Sequence, residues 1–587
     1  MNSHISVTSL TFSRLRSTPA LAIIFLVASL LMPTHSPAQG PAASPGVPVP
    51  RGVITKYTFN QSKIFPGTER DYWVYVPQQY DPARPACLYV GQDGINPTYT
   101  ETFDQLIANH QMPVTIGVFI TPGKVPAPDA NSQPRVNRSF EYNSLGDDYE
   151  RFLTDELLPT IVREQHLNIS TNPNDRCIGG GSSGASIAFT VAWEHPEAFR
   201  RVFSVSGAFP FTRGRCYSDL VRKYEAKPLR IFMHVGKDDM YNTSGDLFMD
   251  NEKLSTSLAF SGYDVQYMVS DGKHMDKWKD MIPVGMQWLW RDWPAPIVSG
   301  SNPPRVNDIV LPNQPWRLVA DGLQDVRALT VNPQGEVFVA DTPANKIYKT
   351  GADGKLVPFS TDAGQVSGLT TGTDGSLYGV SQATGNLLAF DSNGNDRTIA
   401  SGLPGHAIFA TRHGNFYVTV PGPFGTCRSQ VWLVNATGVK KLVDTGLKGA
   451  AGIALSQDDW RLDVADERSH WVYEYQVNPD SSLSGKEHLY WLYVPDTADD
   501  SGADGLAVST NGTLYVATRI GIQTSDNSGH NQCILPLPSG RVTALAFGGP
   551  KFDVLYAACG DKLYARNVQV QGVNVFQPPA KPGRAKL

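Results

Sequence analysis

The chain has 587 residues, too many for one hydrophobic core, so two or three domains are expected. With 41% hydrophobic and 18% charged residues it has ordinary globular composition, and its formal charge of −5 offers no basic face for nucleic acid. The 53 glycines and 43 prolines suit a fold with many tight turns.

The N-terminus reads as a secretory signal. Arg14 and Arg16 form a basic region, Ala20 to Met32 is apolar, and Ser36-Pro37-Ala38 places small residues at the cleavage-critical positions. Cleavage after Ala38 would leave a mature chain near −7, secreted or periplasmic. The apolar run is short for a bilayer span, and no later segment could cross as a helix, so no stable membrane insertion is expected after cleavage. The six cysteines, Cys87, Cys177, Cys216, Cys427, Cys533 and Cys559, form neither a disulfide framework nor a metal-ligand spacing. Cys177 and Cys216 could pair, but buried free thiols are the simpler reading.

Residues 39–51 form a Pro/Ala/Gly arm. Segments 53–59 and 70–76 alternate as strands do, and 86–91 is a continuous apolar run suited to a strand buried on both faces. A helix over 103–110, a strand over 114–120 and a long amphipathic helix over 147–164 follow. Strands over 202–206, 230–235 and 264–269 continue the alternation, which predicts a mostly parallel sheet with helices on both faces.

Within that alternation lies Arg176-Cys-Ile-Gly-Gly-Gly-Ser-Ser-Gly-Ala185, read as a strand, a tight turn and a helix. Gly180-Gly181-Ser182-Ser183-Gly184 fits G-x-S-x-G, the turn that exposes a nucleophilic serine before a helix N-terminus. Glycines on either side would allow positive φ and close backbone approach. Function in such sheets gathers at the carboxyl ends of strands. After strand 230–235 comes Gly236-Lys-Asp-Asp239, and after strand 264–269 comes His274. Serine, then Asp, then His is the chain order of α/β-hydrolase triads, in which imidazole moves the serine proton and a carboxylate fixes the imidazole. Asp239 is preferred to Asp238 because it falls just past the strand end; Asp246 and Asp250 are weaker alternatives. His110, His166, His195 and His234 are poorer candidates, on helices or strands.

These residues carry a resemblance. Phe65-Pro-Gly-Thr-Glu-Arg-Asp-Tyr-Trp-Val-Tyr-Val-Pro77, Gln92-Asp-Gly94, Asn137-Arg-Ser-Phe-Glu-Tyr142, the elbow, Gly236-x-x-Asp239 and His274-x-x-x-Trp278 resemble the enterochelin-esterase/feruloyl-esterase branch of the α/β-hydrolases over residues 52–293. The resemblance implies catalytic Ser182, Asp239 and His274, and an oxyanion hole from the Ser183 N–H with that of Gly94 or Ile95. It also makes Arg138, Glu141 and Trp278 candidate substrate contacts. Loops 96–102, 122–141 and 209–222 would line the pocket. One departure is Gly181, where many relatives carry a bulkier residue.

Proline and glycine thicken over 294–306, a domain linker. From about residue 307 a short strand motif recurs, beginning at Gly335, Gly375, Gly414, Trp460, Gly512 and Asp553, in steps of 39 to 52 residues. That spacing predicts a six-bladed all-β propeller over 307–575, followed by a tail over 576–587. Ala340 to Tyr348, Gly449 to Ser456 and Asp499 to Ala507 resemble the senescence-marker-protein/gluconolactonase propellers. That family implies a divalent cation on the axis, held by a Glu, an Asn and an Asp. Asp504 matches the Asp, but Ala451 stands for the Asn, no Glu falls within Val326-Arg-Ala-Leu329, and an Asn-Asp pair reads His406-Ala407. The expectation is therefore no metal and no cofactor, and a propeller that binds substrate or acts as scaffold. The leading reading is a secreted serine esterase acting on a small-molecule or carbohydrate ester. The alternatives are a metal-dependent lactonase in the propeller and a binding protein without turnover.

Overall fold

A computed structural model describes residues 49–212, 217–351 and 353–583. The signal-like segment, most of the arm and Cys216 lie outside them, so neither the cleavage site nor the Cys177–Cys216 pairing has a structural account. Among the described residues no helix is long and apolar enough to cross a membrane.

The N-terminal half is built on one eight-stranded sheet. Its strands are β1 (Val53–Phe59), β2 (Arg70–Val76), β3 (Cys87–Gln92), β4 (Thr115–Ile120), β5 (Arg176–Gly181), β6 (Arg201–Val205), β7 (Arg230–Asp238) and β8 (Asp264–Lys273), in the order β1-β2-β4-β3-β5-β6-β7-β8. Only the β1–β2 and β2–β4 pairs are antiparallel. β3 to β6 are buried along nearly their whole length, as strands covered on both faces must be.

Helices cover both faces. Helices α1 (Pro97–Ala108) and α7 (Trp278–Trp290) pack on one, with Tyr89, Phe119, Phe203 and Phe232 beneath them. The other face carries α2 (Arg138–Tyr142), α3 (148–165), α4 (Ser183–Glu194), the short α5 (Tyr217–Leu220) and α6 (Leu247–Phe260), over Leu88, Val90, Ile178 and Val202. Alternate residues of β3 thus serve opposite cores, the period-two consequence of the pleat. α3 is continuous but irregular: Asp148–Arg151, a π turn over Phe152–Leu157, then Leu158–Gln165.

Helix α1 starts six residues before the sequence expectation. The Asn96 side chain accepts the Thr98 N–H at 3.0 Å and Pro97 takes the first turn, where its missing N–H costs nothing. The supposed loop over 96–102 is therefore helix. The 122–141 stretch is likewise part structured, with a two-stranded ribbon (Lys124–Val125, Arg135–Val136) and α2.

The C-terminal half forms six four-stranded sheets around an axis. Their innermost strands are Val326–Val331, Gly368–Thr371, Ala407–Ala410, Ala450–Leu455, Leu506–Val508 and Ala544–Gly548. The six repeated motifs are the second strand of each blade. The last blade is completed by Arg317–Ala320, which precedes the first blade in sequence and pairs antiparallel with Lys562–Asn567. This overlap ties the two ends of the ring together and leaves no blade short of a strand.

The halves touch through outer strands of the propeller. Glu225 grips Arg566 with bonds of 2.6 and 2.7 Å, the Lys223 ammonium donates to the Asn531 carbonyl at 2.8 Å, and Ile534 joins the hydrolase core. Tyr224, between those anchors, packs on Trp193 near the end of α4. The docking therefore lies about 16 Å of helix away from Ser182, at 1.5 Å per residue. The 294–306 stretch is not a free tether: the Asn174 side chain holds the Pro294 and Ala295 carbonyls, and the Asn302 side chain accepts the Ala226 N–H.

Candidate active site

The elbow joins β5 to α4. Ser182 has φ +57° and ψ −128°, a strained conformation worth about 1–3 kcal/mol that the packed surroundings must hold. The positive φ belongs to the serine, not to the flanking glycines as the sequence suggested. The glycines are there for proximity. A Cβ on Gly180 would sit 2.7 Å from the Gly184 backbone, and one on Gly181 would sit 2.2 Å from Cε of Met275. Met275 thus occupies the space that a side chain at 181 would need.

Met275 also locates the base, since it follows His274 at the end of β8. His274 Nδ1 lies 2.6 Å from Oδ1 of Asp239, one residue beyond β7. β7 and β8 are adjacent and parallel, so their carboxyl ends bring the two side chains together. Asp238 is the last residue of β7 and exposed, whereas the Asp239 side chain is fully buried. Asp246 caps α6 through the Met249 N–H. Burial works against the Asp239 charge, but hydrogen bonds from His274, the Ser206 hydroxyl and the Met240 N–H outweigh it and hold the carboxyl below its ordinary range. With Nδ1–H donating to Asp239, His274 keeps Nε2 as the basic nitrogen.

Ser206 was missed in the sequence. It follows β6 in a left-handed conformation, φ +47°, fully buried. Its hydroxyl accepts the Met275 N–H at 3.3 Å while serving Asp239, so it ties the acid to the histidine loop. The only sequence signal is a small residue just past a strand end, which many turns share. His234 is buried on β7, its Nε2 2.9 Å from the Ser270 hydroxyl, and burial lowers its pKa. It is a core histidine.

The oxyanion candidates separate. Ser183 begins α4, where an N–H has no intrahelical acceptor. The Gly94 N–H already donates to the Ile120 carbonyl at 2.9 Å, which removes it as an oxyanion donor and leaves Ile95. The substrate contacts separate too. Arg138 is one-third exposed and forks onto Asp93 at 2.7 and 2.8 Å, and Asp93 stands against Gly184 of the elbow. Trp278 is half-buried against Tyr99, ring centroids 6.0 Å apart. Glu141 corrects the expectation: it is buried and paired two-fold with Arg70 at 3.0 and 3.1 Å, out of reach of substrate.

On the propeller axis Asp504 accepts from His406 Nε2 at 2.8 Å, and burial opposes but Asp504 raises the His406 pKa above its ordinary value. Ala451 offers no side-chain ligand, and its carbonyl takes the Thr419 hydroxyl at 2.6 Å. Arg327 projects from the first inner strand onto Asp325. Among the described residues no three His, Cys, Asp or Glu side chains gather as a metal requires. An Arg and a His beside one Asp do not fit a divalent cation.

Two family models match, each over part of the chain. Residues 62–288 match the Esterase family, and residues 407–559 match the SMP-30/Gluconolactonase/LRE-like region. The chain joins an esterase domain to a gluconolactonase-like propeller. The first is the domain of a carboxylic ester hydrolase. The pentonolactonase XacC of Haloferax volcanii is 24% identical over 225 residues, 38% of this chain and 76% of that protein. The gluconolactonase structure from Xanthomonas campestris is 17% identical, with 44% of this chain and 91% of that one covered, at a TM-score of 0.39. The enterobactin esterase structure from Shigella flexneri is 18% identical, with 41% and 61% covered, at a TM-score of 0.33.

Proposed function

We propose that the protein is a secreted or periplasmic serine esterase whose nucleophile is Ser182. The observation that carries this reading is the His274–Asp239 pair at 2.6 Å, seated on neighbouring strand ends beside a strained serine elbow. Ser182 Oγ attacks the ester carbonyl while His274 Nε2 takes its proton. Asp239 holds the Nδ1–H and stabilises the imidazolium. The Ser183 and Ile95 N–H groups receive the oxyanion, with the α4 N-terminus behind them. His274 returns the proton to the departing alcohol, and water then clears the acyl-enzyme by the same route.

Feruloyl esters, acylated sugars and siderophore-like esters are the substrate classes in view, with Arg138 and Trp278 as contacts. The basic and apolar N-terminal segment supports export. The propeller is a binding or scaffold module, because its axial donor set does not suit a metal. The test is hydrolysis of p-nitrophenyl acetate and methyl ferulate by the wild type and Ser182→Ala, with and without EDTA. Activity lost in Ser182→Ala and indifferent to EDTA is expected. Activity that survives Ser182→Ala and disappears with EDTA would move the chemistry to the propeller.

A further inference from the structure

Among the described residues the propeller axis gathers no three-ligand cluster for a cation, yet it has a polar mouth. A cavity of about 420 Å³ opens there, and its polar lining is Asp325, Arg327, Gln365, Gln382, His406 and the hydroxyl residues Thr342 and Ser367. A second cavity, of about 160 Å³, continues along the axis between the six inner strands and includes Asp504. The mouth is rich in donors. Both hydroxyls are spent on backbone carbonyls, Thr342 on Val366 and Ser367 on Gly405. Arg327 commits Nε and Nη2 to one oxygen of Asp325, at 2.7 and 2.6 Å, which leaves Nη1 for the cavity. His406 commits Nε2 to Asp504, and the residue lines the cavity.

The charges balance without a ligand. Asp325 answers Arg327, Asp504 answers His406, and Glu467 lies 3.3 Å from Arg468. Each acid at the mouth, Asp325 of the lining included, is therefore paired with a cation. Asp504, with a side chain 3% exposed, keeps Oδ2 buried without a partner, so it acts as a fixed counter-charge beneath the imidazole.

We propose that this mouth is a metal-free site for a small carboxylate, with the uncommitted N–H groups of Arg327 and His406 as its charge-assisted donors. The inference rests on reading the propeller as a binding module, but not on the chemistry of Ser182. A carboxylate is also what ester hydrolysis releases, so the site would hold an acid of the kind the neighbouring domain produces. The remaining Arg327 Nη1–H and an imidazole N–H of His406 suit one oxygen each of a carboxylate, and the Gln365 and Gln382 amides add neutral donors at the rim.

The experiment is calorimetric titration of full-length Ser182→Ala protein, which removes turnover. The probes are sodium benzoate and sodium acetate, with benzamide and acetamide as neutral matches, and CaCl₂ and ZnCl₂ alone. One carboxylate per chain is expected, with the amides much weaker and no stoichiometric cation. Arg327→Gln, at a partly exposed position that leaves the fold intact by thermal melting, should weaken binding by roughly tenfold or more, the loss of one charge-assisted hydrogen bond. His406→Gln should do the same. No carboxylate binding, equal binding of amide and acid, indifference to both variants, or a stoichiometric cation lost in Asp504→Asn would each overturn the proposal. Failure of the esterase reading would show separately, as absent fluorophosphonate labelling of the wild type.

Discussion

Replacing Glu141 by alanine should damage stability and leave substrate binding alone. The carboxylate and the Arg70 guanidinium are both fully buried, joined by two bonds of 3.0 and 3.1 Å, and the Gly123 N–H adds a third to Glu141 at 3.2 Å. Arg70 lies over the Phe152 ring at 4.1 Å, a face that cannot replace a counter-ion. Removing one partner of such a pair costs about 3–5 kcal/mol, because it strands the other charge away from water. Spread over a domain of this size, the loss lowers the esterase-domain melting transition by on the order of 10 °C. The assay is differential scanning calorimetry alongside steady-state kinetics on p-nitrophenyl acetate and methyl ferulate. KM should stay within twofold, roughly the change expected for a residue that touches no substrate. The double variant Arg70→Met/Glu141→Leu should recover most of the loss, since it removes both charges. An unchanged melting temperature with a several-fold rise in KM would refute this reasoning and return Glu141 to the substrate pocket.

Four further outcomes are expected. Asp239→Asn should lower kcat by roughly 10⁴-fold, by disturbing the His274 tautomer. Because the folded Asp239 pKa lies below its ordinary 3.8, its contribution to stability is present above that value and lost as pH falls through the folded pKa; the melting difference between wild type and Asp239→Asn should close in acid. Gly181→Leu should push the Met275 thioether aside and shift His274, lowering kcat by roughly 10²-fold with the fold intact by circular dichroism. Arg566→Ala and Glu225→Ala should each speed proteolysis of the 294–306 stretch, and the double variant should be no faster than either single, as one shared ion pair requires.

The sequence by itself determined the parts of this protein that depend on local spacing. An elbow can be read because strand, glycines, serine and helix are contiguous. The order of Ser182, Asp239 and His274 after three strands can be read because each strand is a short apolar run. Six blades can be read because their second strands repeat. The tertiary structure decided everything that depends on partners distant in the chain. Ser206 meets both Asp239 and the Met275 N–H because the ends of three strands converge, a partnership no local spacing marks. Gly94 loses its N–H to Ile120, a carbonyl 26 residues away, and Glu141 turns inward because Arg70 is buried opposite it. Met275 fills the space above Gly181 from nearly a hundred residues downstream. The strand that closes the last blade comes from before the first, a pairing across some 240 residues that no repeat announces. Backbone propensity acts within a few residues, so it writes elements into the sequence. Burial and hydrogen-bond satisfaction act across the folded volume, and they chose which of the candidate side chains could reach the site.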